Sequence, residues 1–339
     1  MMYEHKYHST DLSAYSFLVT GGAGFIGSNI VEYLLKYNAK KVVILDNFAT
    51  GHKKSIEQFL NRENCVLLEG DIRDLETCKA SCDGVDYILH QAALGSVPRS
   101  INNPITSNEV NVSGFLNMLV AAKEIGGIKR MVYAASSSTY GDSLLLPKKE
   151  EIIGKPLSPY AVTKLVNELY ADVFGKTYGL ETIGLRYFNV FGPRQDPNGA
   201  YAAVIPKFIA QLMKKENLTI NGDGKHSRDF TFIENVVQAN IKAAFCEDKN
   251  AINQVYNVAF GRNTDLNTLV GTLRASLQQN GAAVDGSNTI HGPERKGDVK
   301  HSLADISKAI RLLNYEPLFD FEQGIEITVK AFLDRLAIQ

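Results

Sequence analysis

Tyr160 and Lys164 stand four residues apart in the run Ser158-Pro-Tyr-Ala-Val-Thr-Lys164, and a helix there puts both side chains on one face. A phenol with its usual pKa of about 10 is a poor base at neutral pH, but an ammonium one turn away favours the phenolate. Tyr160 is then able to take a proton from a substrate hydroxyl. Upstream, Ser136, Ser137, Ser138 and Thr139 close a short apolar run at 130–135. That is how the carboxyl end of a strand reads, and open α/β sheets gather ligands at such ends. A serine in this group can hydrogen-bond the same substrate oxygen and relay its proton.

A second constellation lies near the start of the chain. Gly21, Gly22, Ala23, Gly24, Phe25, Ile26 and Gly27 satisfy GxGxxG through Gly22, Gly24 and Gly27, directly after the apolar run SFLVT (16–20). In a strand-to-helix turn the first glycine permits the bend, the second lets backbone approach a pyrophosphate, and the third allows close packing. The helix N-terminus beyond it favours anions. Asp46 ends the next apolar run, KVVILD (41–46), where a carboxylate accepts hydrogen bonds from an adenosine ribose, with Asn47 beside it. A 2′-phosphate is repelled there, so the expected cofactor is NAD rather than NADP. Asp71 and Ile72 fall where adenine is edged, and Gln91, Ala92 and Ala93 end a further run with small residues suited to close passage of a cofactor.

The elements that must hold these groups alternate. Apolar runs at 16–20, 41–46, 65–69, 85–89, 130–135 and 180–186 read as buried strands, separated mostly by stretches of helical composition such as Phe25 to Tyr37. Parallel strands need crossover helices, so the expected fold is α/β: a doubly wound Rossmann-type parallel sheet with a smaller C-terminal α/β substrate domain. Residues 16–190 form the dinucleotide domain, with 230–260 returning to it, and 191–229 plus 261–339 form the substrate domain. Residues 1–15 lie outside the alternation and read as an appendage.

Composition bounds the function. The chain has 339 residues, 45% hydrophobic and 22% charged, which is globular rather than disordered or fibrous. Thirty-six basic against thirty-seven acidic side chains, with no block of like charge, argue against nucleic acid as the main ligand. No apolar run approaches a membrane span and the first 15 residues have no apolar core, so the expected location is cytoplasmic. Cys65, Cys78, Cys82 and Cys246 are too sparse for a disulfide scaffold and read as free thiols, and no metal-ligand spacing occurs among the histidines.

Taken together, GGAGFIG (21–27), the acidic end of the second strand, the serine-rich segment before Tyr140-Gly141, SPYAVTK (158–164), LRYFNVFGPRQ (185–195) and RKGD (295–298) resemble the extended short-chain dehydrogenase/reductase family. The resemblance is to its nucleotide-sugar 4-epimerase branch, and runs from the first strand to about residue 330. It implies Tyr160 as the base, Lys164 on the nicotinamide ribose, and a serine that matches Ser136 best by spacing, with Ser137 or Ser138 open. It further implies Tyr187 lining the nicotinamide, Asn189 on the diphosphate-sugar side, and Arg228 and Arg295 on the diphosphate, which guanidinium forks suit. Asp298 would take a ribose hydroxyl, Val204 and Thr219, Ile220 and Asn221 would edge the uracil, and Ser96, Arg99 and Ser137 would reach the sugar.

The implied reaction is reversible oxidation at C4 of a UDP-sugar, with rotation of the keto-sugar between two hydride transfers. Dehydratases of the family carry an Asp-Glu pair after the serine or threonine, and decarboxylases a glutamate; this chain offers only Ser and Thr there. Four residues after Asp298 stands Ser302, at the position that borders the C2 substituent, and a small side chain there leaves room for an acetamido group. The expected pair is UDP-N-acetylglucosamine and UDP-N-acetylgalactosamine. UDP-glucose or UDP-glucuronate epimerisation, dehydration, and a non-catalytic dinucleotide sensor are the competing readings. The family pairs through helices equivalent to 104–125 and 159–178, which implies a homodimer.

Overall fold

The structure, a computed structural model, describes residues 2–198, 202–293 and 300–337. Its first half repeats strand and helix: β1 (Ser16–Thr20), α1 (Phe25–Lys36), β2 (Lys41–Asp46), β3 (Cys65–Glu69), α2 (Leu75–Cys82), β4 (Tyr87–His90), α3 (Val97–Asn102), α4 (Pro104–Asn108), α5 (Phe115–Ile125), β5 (Arg130–Ser136), α6 (Pro159–Tyr178) and β6 (Thr182–Tyr187). Then come β7 (Val190–Phe191), α7 (Val204–Met213), β8 (Leu218–Asn221), β9 (Ser227–Asp229), β10 (Thr231–Phe232), α8 (Ile233–Ala244) and β11 (Gln254–Val258). The chain closes with β12 (Asn263–Asp265), α9 (Leu266–Gln279), β13 (Thr289–Gly292), α10 (Ser307–Leu313) and α11 (Phe321–Ala337).

Seven strands form one parallel sheet in the order β11-β6-β5-β4-β1-β2-β3. β1 and β6 are buried at every position, as strands covered on both faces must be. One apolar layer joins the sheet to α1 and α8, and a separate one joins it to α2, α5 and α6. The expected doubly wound fold is therefore present. Strand order reverses between β1 and β4, the place where such sheets open a crevice. The smaller elements pair as β10 with β7, β12 with β9, and β13 with β8, beyond the carboxyl ends of β5 and β6 in sequence.

The local signals that start and stop α6 also set the site. Ser158 caps it by accepting from the Ala161 N–H, Pro159 occupies its first turn, and Gly179 ends it in the left-handed region at φ +71°. Between α4 and α5 the residues Glu109–Gly114 widen to a π-helical stretch, a feature often found beside functional sites. It turns Asn111 inward, where its amide accepts from Leu94 N–H (2.7 Å) and donates to Leu94 C=O and Thr163 Oγ1.

The first 15 residues depart from the sequence expectation. Tyr3, Tyr7 and Leu12 are buried in the main core, so the segment is packed onto α1 and α8 rather than appended to the domain. Two tyrosines and a leucine within twelve residues carry the apolar area that makes this favourable. The four cysteines are free thiols.

Candidate active site

A cavity of about 360 Å³ opens at the carboxyl ends of β1, β2 and β4. Gly21, Gly24, Phe25, Ile26, Gly27, Asp46, Asn47, Asp71, Ile72, Gln91, Ala92 and Ala93 all line it, which are the residues the sequence assigns to the dinucleotide apart from Tyr160, Lys164 and Tyr187. The turn differs in detail from its reading. The left-handed residue is Gly21, at φ +65°, one position before the first glycine of GxGxxG, and a Cβ on it would meet Ala92 N at 2.8 Å. At Gly27 a Cβ would stand 2.1 Å from the Gly21 carbonyl oxygen, a backbone atom that cannot step aside. Gly24 caps α1 with no side-chain hydrogen bond, leaving the approach to the helix N-terminus to a ligand. These features fit a dinucleotide pyrophosphate.

Asp46 is more enclosed than a strand-end carboxylate should be. It is buried, its Oδ2 accepts from Ala23 N–H (2.9 Å) and its Oδ1 from Phe48 N–H (2.8 Å), and burial raises its carboxyl pKa. It therefore shapes the glycine turn, with lone pairs left over that could accept from a ligand hydroxyl. Asp71 is fixed by Arg73, which holds its carboxyl down to about 2, and accepts from Asn47 Nδ2 at 2.8 Å. Arg73 also lines the cavity and was not foreseen, because its only sequence signal is its place two residues after Asp71.

Tyr160 and Lys164 occupy successive turns of α6. The Tyr160 phenol is raised by burial and lowered by the hydroxyl of Ser136, the serine that faces it. Ser138 Oγ donates to Ser136 Oγ at 2.9 Å, linking the hydroxyl that faces the phenol to a second one. Thr139 instead donates back to the Ser136 carbonyl. Lys164 is buried and donates to the Ala134 carbonyl at 2.7 Å. Burial pulls its pKa down to about 8, opposed by Glu168 one turn on. Glu168 in turn accepts both arms of the buried Arg186 fork at 2.8 and 2.7 Å. That pair escaped the sequence reading, although Glu168 sits at helical spacing from Lys164. His90, at the end of β4, is kept neutral by burial at about 3, so the local positive charge belongs to Lys164.

Tyr187 does not line the cavity. Its hydroxyl is hydrogen-bonded to Gln91 Oε1 (3.1 Å) and receives Asn240 Nδ2 (2.9 Å), so it reaches the cavity wall through Gln91.

On the opposite side, Ser96 holds an unusual φ of +112° and caps α3 by accepting from Arg99 N–H. Ser100 on that helix accepts from Tyr160 N–H at 3.0 Å, tying the Ser96–Arg99 turn to α6. Asn189 is exposed, at φ +34°, and donates to the Asp229 carbonyl. The Asp229 carboxylate is buried beneath it, accepts from Phe260, Gly261 and Ala304 N–H groups, and is raised to about 6 by burial. Arg228 Nη1 donates to Ser227 and Lys300 carbonyls, and Ser302 N–H donates back to the Ser227 carbonyl. Residues 300–302 thus run beside Arg228.

Val204 opens α7 and is partly exposed. Along β8, Thr219 and Asn221 face outward while Ile220 is buried in the core. Strand alternation makes this unavoidable, so Ile220 cannot present its side chain to a base, and only its neighbours can. Arg295 and Asp298 lie outside the described residues.

A model of the NAD-dependent epimerase/dehydratase family matches residues 17–259. A UDP-glucose 4-epimerase of Mycolicibacterium smegmatis is 32% identical over 320 residues, covering 94% of this chain and 98% of that one. Among solved structures, a UDP-N-acetylglucosamine 4-epimerase from Methanobrevibacter ruminantium in complex with UDP-N-acetylmuramic acid is 39% identical, with a TM-score of 0.87 over 95% of this chain and 99% of that one. A UDP-glucuronic acid 4-epimerase from Bacillus cereus in complex with UDP-glucuronic acid and NAD is 29% identical, with a TM-score of 0.84 over 94% and 99%.

Proposed function

The chain belongs to the NAD-dependent epimerase/dehydratase family, and from that membership we propose that it is a nucleotide-sugar 4-epimerase acting on UDP-N-acetylglucosamine and UDP-N-acetylgalactosamine. The observation that carries the reaction type is the linked pair of hydroxyls Ser138 and Ser136 facing the Tyr160 phenol, with Lys164 one turn further along α6, in a segment that holds no carboxylate from Ser136 to Tyr140. Elimination of water across a sugar needs a further acid and base. Oxidation and reduction at one carbon do not.

NAD supplies the hydride acceptor and donor for C4 when bound. Tyr160 takes the proton of the sugar 4-hydroxyl and later returns it. Ser136 hydrogen-bonds that oxygen and keeps Tyr160 aimed at it, while Lys164 favours the phenolate by its charge. The keto-sugar must turn over while its nucleotide stays fixed, so the strong contacts belong at the diphosphate. Arg228 is suited to that, with Asn189 beside it and, by motif, Arg295 and Asp298. Thr219, Asn221 and Val204 suit the uracil, and Ser96, Arg99 and Ser137 the sugar. We assign residues 191–229 and 261–339 to nucleotide-sugar binding.

Two features support the N-acetyl pair: the likeness to a UDP-N-acetylglucosamine 4-epimerase, and the small Ser302 beside Arg228. Turnover of UDP-N-acetylglucosamine, UDP-glucose and UDP-glucuronate by the purified protein, with products separated chromatographically, tests the reading. The acetamido sugar should interconvert fastest. Faster conversion of glucose or glucuronate would overturn the substrate, and a 4-keto-6-deoxy product would overturn the reaction.

Replacing Asp46 by alanine tests the ribose contact. A charge-assisted hydrogen bond contributes about 1.5–3 kcal/mol, so NAD affinity should fall roughly tenfold to a hundredfold. Because two loop amides also lose their acceptor, the thermal midpoint should fall as well. Unchanged NAD content in the purified variant would place the ribose on another residue.

For assembly, the outer faces of α3, α4 and α6 carry exposed Ile101, Ile105, Val162, Leu169 and Val173. The last three follow helical spacing along one stripe, and a two-fold partner presenting the same stripe would cover it. We infer a homodimer through these helices.

A further inference from the structure

Asn29 is fully buried one turn into α1, and all four of its side-chain hydrogen-bonding positions are used by three separate parts of the chain. Its Nδ2 donates to the carbonyls of Phe25 (2.8 Å) and Pro193 (3.3 Å). Its Oδ1 accepts from the hydroxyl of Tyr3 (2.5 Å) and from Nη2 of Arg194 (2.6 Å). The amide orientation follows from the partners, since carbonyls only accept and a guanidinium only donates.

Each arm of this junction leads somewhere. Phe25 belongs to the first turn of α1, which lines the dinucleotide cavity. Pro193 and Arg194 continue the strand that leaves Asn189 on the sugar side. Arg194 is held at φ +71° and also engages Ser28 Oγ (3.1 Å) and Glu32 (2.6 Å) on α1. Two residues further, Asp196 meets His52 Nε2 at 3.0 Å, and His52 N–H donates to Ala23 within the glycine turn. The third arm is the N-terminal segment. Tyr3, itself at φ +63°, donates its N–H to the buried Glu234 of α8, which also receives the Tyr7 hydroxyl. Asn29 and Tyr33 on α1, and Tyr37 that caps its end, recur at four-residue spacing and all contact this segment. Two non-glycine residues at positive φ meeting on one amide are a cost that the local packing must hold in place.

We propose that Asn29 is a positioning residue whose junction locks the first turn of the dinucleotide-binding helix against the Pro193–Arg194 segment, so that Tyr3 and Arg194 set how tightly NAD is retained through turnover. The proposal rests on the family-level reading that the cavity holds NAD. It gives the N-terminal residues and the GPRQ run a role that neither the glycine turn nor the proton chain requires.

The experiment uses the full chain and three variants. Asn29→Ala removes the hub, Arg194→Lys keeps the charge toward Glu32 but not the fork, and Tyr3→Phe removes one hydroxyl. NADH release is followed by its fluorescence on chasing with excess NAD, beside the cofactor content on purification and turnover with and without added NAD. Loss of a buried hydrogen-bonded partner should speed release about tenfold in Asn29→Ala and Arg194→Lys, less in Tyr3→Phe, with saturating NAD restoring turnover. Release within twofold of the parent in the folded variants, or a turnover defect that added NAD does not restore, would overturn the junction. If Asn29→Ala does not fold, the other two still decide it. A parent that binds no NAD would overturn the family-level reading instead.

Discussion

Tyr160→Phe should lower turnover of the preferred UDP-sugar by about 100- to 10,000-fold, the usual contribution of a positioned general base. Phenylalanine keeps the ring in its slot on α6 and removes only the oxygen, so the fold and the affinity for UDP should survive. The Ser136 and Ser138 hydroxyls would then face carbon, with no acceptor for the sugar proton. The pH profile adds a second readout. A base is active when deprotonated, so the parent rate rises with pH through the apparent pKa of the phenol. Burial raises that pKa in the isolated chain and the Ser136 hydroxyl lowers it. Lys164, pulled down to about 8 by burial, still carries its ammonium at neutral pH, and an ammonium on the same helix face favours the phenolate. The variant should show a residual rate without that rising limb. Near-parental activity in Tyr160→Phe would send the proton elsewhere.

The cofactor half of this site was readable because its chemistry is local. The glycine turn, Asp46 and the small residues after β4 are each recognisable within a few positions, and the parallel sheet brings their strand ends together by topology alone. What the pattern could not show is depth. Asp46 reads the same whether it is a rim carboxylate or, as here, a buried acceptor for two loop amides. Ile220 falls inside a plausible uracil strip, and only the register of β8 reveals that it faces the core.

The half proposed for the sugar is built from longer-range contacts, and there the reading thins. Asp229 ties two separate segments together through three backbone amides more than thirty residues away, and nothing in its neighbours signals that. Arg194 and Asn29 are 165 positions apart, and the N-terminal tyrosines meet a glutamate more than two hundred positions downstream. Such pairs use polar side chains singly, without a period or a motif. They are also where the backbone takes left-handed conformations at non-glycine residues, which propensity alone would not place there.

Ser302→Tyr should separate the acetamido sugars from the plain ones. Residue 302 follows the short segment that pairs with Ser227 and whose Lys300 carbonyl receives Arg228, so it lies a few ångströms of chain from the guanidinium suited to the diphosphate. In the proposed reading it borders the substituent on C2 of the sugar. Enlarging serine to tyrosine there adds an aromatic ring to a wall that the acetamido group would need, and overpacking of a shaped pocket costs about 1–3 kcal/mol or more. Because the sugar must also rotate within that space, the obstruction applies to both epimers. Turnover of UDP-N-acetylglucosamine and UDP-N-acetylgalactosamine should therefore fall by at least about tenfold to a hundredfold, while UDP-glucose, with only a hydroxyl at C2, is turned over as before or faster. NAD content should stay at the parental level, since the substitution lies outside the residues that line the cofactor cavity. Parental rates on the N-acetylated pair would show that this loop tilts away from the sugar, and equal losses on all sugars would point to a general disturbance of the Arg228 strand rather than a gate.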